Sequence, residues 1–452
     1  MKSKKRFSLS TTHLIMLSFL GVIAVGTLLL WLPISTKSGE SVAFVDALFT
    51  ATTSTCVTGL VTLSTHSTWS VFGQIVILLL IQIGGLGLIT IMGAISLLLR
   101  RKMGLGDRLL LKDAFNLNTL SGIGSFVRRV VLGTFAVEGT GALLYMLVFV
   151  PEYGLRGVWI SIFTAISAFC NAGIDLLGDV SLSAYATNPI INATTVALIV
   201  AGGLGFVVWW DVLHVFSLIG KRRRPWSYLT LQSKIALAST ALLLGVGFAA
   251  FLVFEWSNPA TLGTHSVLDK LQMALFQSVT TRTAGFFTVP QEALTIPSAL
   301  TALLLMFIGG SPVGTAGGIK TVTFAVLLAK AASAIRGRER VSMFGRTLKD
   351  EAIGKAVAVC MTSFSIMALS TLGLSLVSDA PIIDILYETV SATATVGLTR
   401  ALTPTLNTLG KLIVIATMYL GRVGPISLAV AFTVNTNTQN LIENPTEDIS
   451  VG

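Results

Sequence analysis

Four glycines divide this chain into quarters: Gly59, Gly173, Gly285 and Gly397 follow one another at steps of 114, 112 and 112 residues. Each closes a short stretch that begins with an aromatic residue and runs through small and hydroxyl side chains. The stretches read FTATTSTCVTGL (49–60), FTAISAFCNAGI (163–174), FQSVTTRTAGFF (276–287) and YETVSATATVGL (387–398). A period of that length is a whole subdomain, not a solenoid unit. Four copies of one polar, glycine-ended loop predict four walls around one axis, the geometry of an ion filter built from backbone carbonyls.

Composition sets the solvent. Hydrophobic residues make up 53% of the chain and charged residues 12%, about half the charged share of a soluble domain. Apolar runs near or above the ~20 residues that cross a bilayer recur at 13–34, 71–99, 190–219, 235–254 and 296–310. The expected fold class is an all-α polytopic membrane protein. The run 14–34 follows Lys2, Lys4, Lys5 and Arg6, ends in Trp31, Leu32 and Pro33, and carries no small-x-small cleavage site. It reads as a retained first span rather than a signal peptide.

Of the 31 lysines and arginines, 23 fall in 2–6, 100–129, 221–234 and 330–355. The net charge of +10 is then a positive-inside signal and not a nucleic-acid surface. The opposite side holds Lys37, Arg156, Lys270, Arg400 and Lys411 among eleven acidic residues, Asp46, Asp269 and Glu388 included. Both termini are expected in the cytoplasm and the glycine loops near the outside.

Each quarter reads as an apolar helix, a short pore segment, the glycine loop and a second apolar helix. First helices are predicted at 12–33, 127–150, 231–255 and 352–377, pore segments at 43–55, 157–169, 268–281 and 382–393, and second helices at 71–99, 190–219, 296–335 and 407–434. The units are 1–100, 101–220, 221–350 and 351–435, with a cytoplasmic tail at 436–452. Two spans per unit return the chain to its starting side, so the repeats are parallel with pseudo-four-fold symmetry about the membrane normal. Non-helical pore segments survive at membrane depth only inside protein or along a water-filled cavity.

Gly84-Gly85, Gly202-Gly203, Gly309-Gly310 and Gly421 sit on the second helices, where small residues allow backbone contact. The third copy departs: Gly309, Gly310, Ser311, Pro312, Val313, Gly314, Thr315, Ala316, Gly317, Gly318 and Ile319 precede Lys320. At about 1 kcal/mol per glycine and 3 for proline, this is a broken helix, and the break is expected in this repeat alone.

A desolvated alkali cation needs neutral oxygen ligands, and carbonyls aim at an axis only where the chain takes a turn that glycine permits. Those carbonyls are assigned to Val57, Thr58 and Gly59; Asn171, Ala172 and Gly173; Thr283, Ala284 and Gly285; and Thr395, Val396 and Gly397. Arg282 would repel a cation on the axis, so it is expected to point behind the loop, toward Glu388. Acidic residues flanking the pore segments serve as helix N-caps or concentrate cations. Cys56, Cys170 and Cys360 have no metal spacing and read as space-fillers. His13, His66, His214 and His265 are scattered. No catalytic grouping, P-loop or dinucleotide fingerprint is present, so no enzyme activity and no bound cofactor is expected in this chain.

On these motifs the chain resembles the membrane subunits of the Trk/Ktr/HKT superfamily of cation transporters, most closely the KtrB type. QSVTTRTAGFF, ETVSATATVGL, GGSPVGTAGGIKT, the late LGRVGP and the terminal NPTEDISVG carry the resemblance, which covers nearly the whole chain. It implies one pore per subunit and a fold like a potassium channel. Glycine in all four filter positions goes with potassium, and serine in the first with sodium in some plant members. The resemblance further implies that 309–318 is an intramembrane gate with Lys320 and Arg422 beside it. It implies a homodimer, and a cytoplasmic ring of Rossmann-type, KtrA-like subunits that bind adenine nucleotide. The ring would dock on the basic segments 100–129, 221–234 and 336–350 and on the tail; those segments also suit contact with anionic membrane lipid. Lys320 has the alternative of snorkelling, and Arg422 that of a structural pairing with carbonyls of 311–317. Whether sodium accompanies potassium stays open. The competing readings are a secondary transporter of a small solute, with the broken helix as its site, and a membrane protein without flux.

Overall fold

A computed structural model of the chain describes residues 11–87, 90–91, 93, 122–178, 180–217 and 225–423. The Lys2–Arg6 cluster, residues 100–121 and 221–224 of the basic segments, the end of LGRVGP, the end of the fourth second helix, the tail and its NPTEDISVG motif lie outside these residues.

The four first helices are α1 (Thr11–Trp31), α4 (Ile123–Tyr153), α8 (Leu231–Glu255) and α12 (Asp350–Ser375). All four contain a stretch long and apolar enough to cross a membrane. Leu17, Val25 and Leu28 of α1, Leu143 and Leu147 of α4, Leu242 and Val253 of α8, and Leu369 and Leu372 of α12 are exposed. In water such a surface would aggregate; facing lipid tails it matches its solvent.

The pore helices are α2 (Phe44–Cys56), α5 (Leu155–Cys170), α9 (Val267–Thr280) and α13 (Ile382–Ala394). They are short, and nearly every residue of their last two turns is buried. They form the centre of the molecule and the longer helices wrap them.

The second helices begin alike and end differently. Each starts on a side-chain cap that holds an orphan amide of the first turn. Ser70 accepts from Gly73 N, Asn188 from Ile190 N and Ile191 N, Thr295 from Ser298 N, and Asn407 from Gly410 N. The helices are α3 (Val71–Leu86), α6 (Pro189–Leu204), α10 (Ile296–Phe307) and α14 (Thr408–Val423).

Here the structure corrects the sequence reading, which drew 71–99 and 190–219 as unbroken helices. In the first repeat α3 stops at Gly87 (φ 81°, ψ 135°); in the second α6 stops at Gly205 (φ 88°, ψ 139°). After Gly205 the chain turns by 100° into α7 (Phe206–Phe216). Both glycines share a conformation that side-chain-bearing residues resist. In the third repeat the break runs from Ile308 to Lys320, after which α11 (Thr321–Ile335) resumes.

The repeats interlock in a cycle. The second helix of each packs on the pore helix of the next: α3 on α5, α6 on α9, α10 on α13, and α14 back on α2. The same direction of hand-over four times closes the ring. Where Gly84, Gly202 and Gly421 meet a pore helix, a methyl group would collide with the carbonyls of Thr55, Phe169 and Thr393, each four residues before its loop glycine. Glycine is required there by close approach.

Candidate functional site

The four glycine loops meet at the centre of the ring. Three pore helices end directly on a residue in the left-handed region: Val57 (φ 55°), Asn171 (φ 59°) and Thr395 (φ 51°). The third takes Thr281 and Arg282 as an extra turn before its left-handed residue, Thr283 (φ 65°). Two residues later each chain turns left-handed again at its glycine, with φ of 100°, 64°, 84° and 93° for Gly59, Gly173, Gly285 and Gly397. The residues between, Thr58, Ala172, Ala284 and Val396, have negative φ.

A methyl group placed on Gly59 would lie 2.5 Å from the Ala172 carbonyl oxygen, on Gly173 2.7 Å from that of Ala284, and on Gly285 2.8 Å from that of Val396. On Gly397 it would overlap the carbonyl of Thr58. The carbonyl before each glycine thus sits against the glycine of the preceding loop, and the order closes on itself. Eight of the twelve residues assigned from the sequence, the glycines and the residue before each, meet in these contacts; Val57, Asn171, Thr283 and Thr395 form the left-handed turns that lead into them.

Hydroxyls of the pore helices brace it. Thr53 Oγ1 accepts from Gly59 N at 3.0 Å, Ser167 Oγ from Ile174 N at 3.1 Å and Ser391 Oγ from Gly397 N at 3.0 Å. In the third repeat Thr280 Oγ1 donates to the Phe286 carbonyl. The sequence reading missed these residues, although Thr53, Ser167 and Ser391 each stand six places before their glycine.

The third-repeat break lies beside this ring. Its two ends are held together: Gly309 N donates to Ile319 O at 2.9 Å and Thr321 N to Gly310 O at 2.9 Å. Its middle fills the break in the second repeat. Ser311 N donates to Gly203 O (2.8 Å), Thr315 N to Gly202 O (3.1 Å), and Phe206 N to Val313 O (2.9 Å). Two interrupted helices therefore satisfy each other's backbone, as a chain excluded from water requires. The segment also touches the ring: Gly317 N donates to Thr283 Oγ1 (3.1 Å), and Thr315 Oγ1 to Phe169 O (3.0 Å).

Three cations gather on it. Arg422 donates through Nη1 to Thr315 O at 2.8 Å and through Nη2 to Gly84 O at 2.5 Å. That is the pairing with carbonyls of 311–317 offered above, with a second anchor on the first repeat. Lys320 does not reach away; its Nζ turns back to Ala316 O at 2.5 Å. Arg282 points behind its loop, but its partner is Gly309 O at 2.9 Å and not Glu388. Glu388 lies within α13 rather than at its start, and accepts from Thr399 and Thr403. The guanidinium goes to the carbonyl that the broken helix leaves without an intrahelical donor, a partner no side-chain pattern reveals.

At the first turns of the pore helices, Asp46 pairs with Lys411 and Asp384 with Arg400, both at 2.6 Å, and Ser266 with Asp269 caps α9. Arg400 also reaches the carbonyls of Gln291 and Glu292, joining the fourth repeat to the third. Cys56, Cys170 and Cys360 are free thiols. Glu138, buried on α4 and partnered by Gln82 Nε2 at 3.2 Å, was not singled out from sequence.

First helices of spanning length, exposed apolar flanks and short buried pore helices around one ring define a multi-pass membrane protein. The chain belongs to the TrkH family of cation transport proteins, which it matches over residues 2–443. It is 40% identical to the potassium/sodium uptake protein NtpJ of Enterococcus hirae, covering 100% of this chain and 99% of that one. It is 39% identical to the Ktr system potassium uptake protein B of Bacillus subtilis, covering 96% and 95%. Its fold is similar to the crystal structure of the potassium transporter TrkH from Vibrio parahaemolyticus, with a TM-score of 0.75 over 96% of this chain and 87% of that one at 17% identity.

Proposed function

We propose that this protein carries potassium into the cell down its electrochemical gradient, through the ring formed by the four glycine loops. The observation that carries the reading is the cyclic contact of Thr58, Ala172, Ala284 and Val396 carbonyls with the glycines of neighbouring loops. Oxygens without net charge replace part of an ion's hydration shell and still let it leave. Relatives named for potassium uptake, at 39% and 40% identity over nearly full length, favour potassium as the transported ion. One of them bears sodium in its name as well, and sodium enters the proposal as a second ion on the same path.

In this reading residues 309–318 are the gate, held shut by Arg282, Lys320 and Arg422, and flux begins when the segment swings aside. The four quarter units 1–100, 101–220, 221–350 and 351–435 each supply one wall. The protein sits in the plasma membrane with both termini inside and the loops toward the outside. It pairs as a homodimer and is controlled by a cytoplasmic nucleotide-binding ring, in keeping with relatives described as members of a Ktr system. The mutual filling of the breaks in the second and third repeats argues against a solute site there, because the freed backbone groups are spent on each other.

The test is uptake in cells lacking their own potassium transporters. The wild-type chain is expected to restore growth at low potassium, and Gly59→Ser to lower the potassium-to-sodium preference about tenfold by disturbing one wall of the ring. An unchanged ratio after that substitution would contradict the proposal.

A further inference from the structure

Only the third loop carries a charge three places before its glycine. The four residues there are Cys56, Cys170, Arg282 and Ala394. Arg282 is 6% exposed, and its Nη2 is used on Gly309 O. Its Nη1 is buried and has no hydrogen-bond partner among the described residues. Behind the loop lies a cavity of about 10 Å³ whose walls include Arg282, Thr240, Gly203, Gly310 and Val279 and no acidic side chain. Thr240 belongs to α8, and its Oγ1 is likewise buried without a partner.

Two residues with unpartnered polar atoms thus line one small space. Leaving a guanidinium N–H and a hydroxyl bare in a low-dielectric interior is unfavourable. A cavity of roughly 10–15 Å³ has room for one water-sized particle. Among the described residues no carboxylate lines the space to balance the cation, so the group that complements it is an acceptor.

We infer that this cavity is a binding site for one small hydrogen-bond acceptor, a water molecule or a halide ion, held between Arg282 Nη1 and Thr240 Oγ1. The acceptor fixes one arm of the guanidinium to α8 while the other arm holds the Gly309 carbonyl at the start of the 309–318 segment. Arg282 then acts as a positioning residue: with both arms engaged its plane cannot swing, and the segment stays against the ring. The functional half of this inference rests on the reading of 309–318 as the gate; the binding half does not.

The full-length protein is tested in two ways. A high-resolution map is expected to show density within hydrogen-bond distance of both Arg282 Nη1 and Thr240 Oγ1. Crystals grown in bromide separate the sources, since an anomalous peak there marks a halide and density without one marks water; either supports the site. An empty cavity in a map that shows ordered water elsewhere in the protein overturns it. For the latch, Thr240→Val is expected to raise potassium flux in proteoliposomes about fivefold, the effect of one net hydrogen bond, at an unchanged potassium-to-sodium ratio. Thr240→Ser, which keeps the hydroxyl, should behave as wild type. Equal flux for wild type and Thr240→Val, or an equal rise in both variants, overturns the latch. A wild-type protein with no potassium flux would sink the transport reading, and the map alone would then decide the site.

Discussion

The four glycine loops share one geometry, while the four second helices beside them do not. Every loop turns left-handed twice, closes on its neighbour in the same direction, and is braced by a pore-helix hydroxyl. The second helices start on equivalent caps and then diverge. Two stop at a glycine, one opens into a break from Ile308 to Lys320, and the fourth stays helical through Val423. Under the proposed function, symmetry is kept where oxygens surround a common axis and given up where one segment blocks it. A blocking element on the axis cannot be present four times, because four copies would compete for one space.

Substitutions can break either half of that comparison. The largest effect is expected from Gly397→Ala. Its φ of 93° and the overlap of a methyl group with the Thr58 carbonyl should remove potassium flux by more than about 100-fold and lower stability by roughly 2–4 kcal/mol. Gly245→Ala, on the first helix of the same architecture with open space around it, should change stability by less than about 1 kcal/mol. Thermal unfolding and proteoliposome flux read both.

Removing the asymmetric half should do the reverse. Deletion of 311–316 is expected to raise flux about tenfold while the potassium-to-sodium ratio stays within about twofold, because the ring's own braces are untouched. Unchanged flux would mean that the segment is not an obstruction. Arg422→Gln loses charge-assisted bonds to Thr315 O and Gly84 O, each of about 1.5–3 kcal/mol. Shared between open and closed states, their loss should give a smaller rise than the deletion, about fivefold, in the same assay.

The smallest effect sharpens the comparison within the ring. Thr53→Val removes one brace, a hydrogen bond to Gly59 N worth about 1 kcal/mol, and should lower the potassium-to-sodium ratio about threefold without changing the 309–318 segment. Ion competition in flux assays checks it; a change in gating with an unchanged ratio would assign Thr53 to the wrong half.

The loops were readable because their glycines recur in register and each follows a short segment unlike the spans around it. First and pore helices fall within four residues of their expected ends. The second helices were misjudged for a physical reason. In GGLG at 84–87 and 202–205, the first glycine packs against a pore-helix carbonyl and the last ends the helix. One composition signal covers two roles, and only the contact and the φ angle separate them. Arg282 was assigned an acidic partner because opposite charge is the only complement a sequence displays. Its actual partner, the Gly309 carbonyl, exists only once the helix is broken. The brace hydroxyls were visible in their column but hidden among many other serines and threonines in the same stretches.

Rubidium substituted for potassium and located by its anomalous scattering addresses the ring itself. A single peak on the common axis, at bonding distance from the carbonyls of Thr58, Ala172, Ala284 and Val396, is the predicted result. Ordered loops with that axis free of cation, or a peak bound to one loop alone and away from the other three, would contradict it.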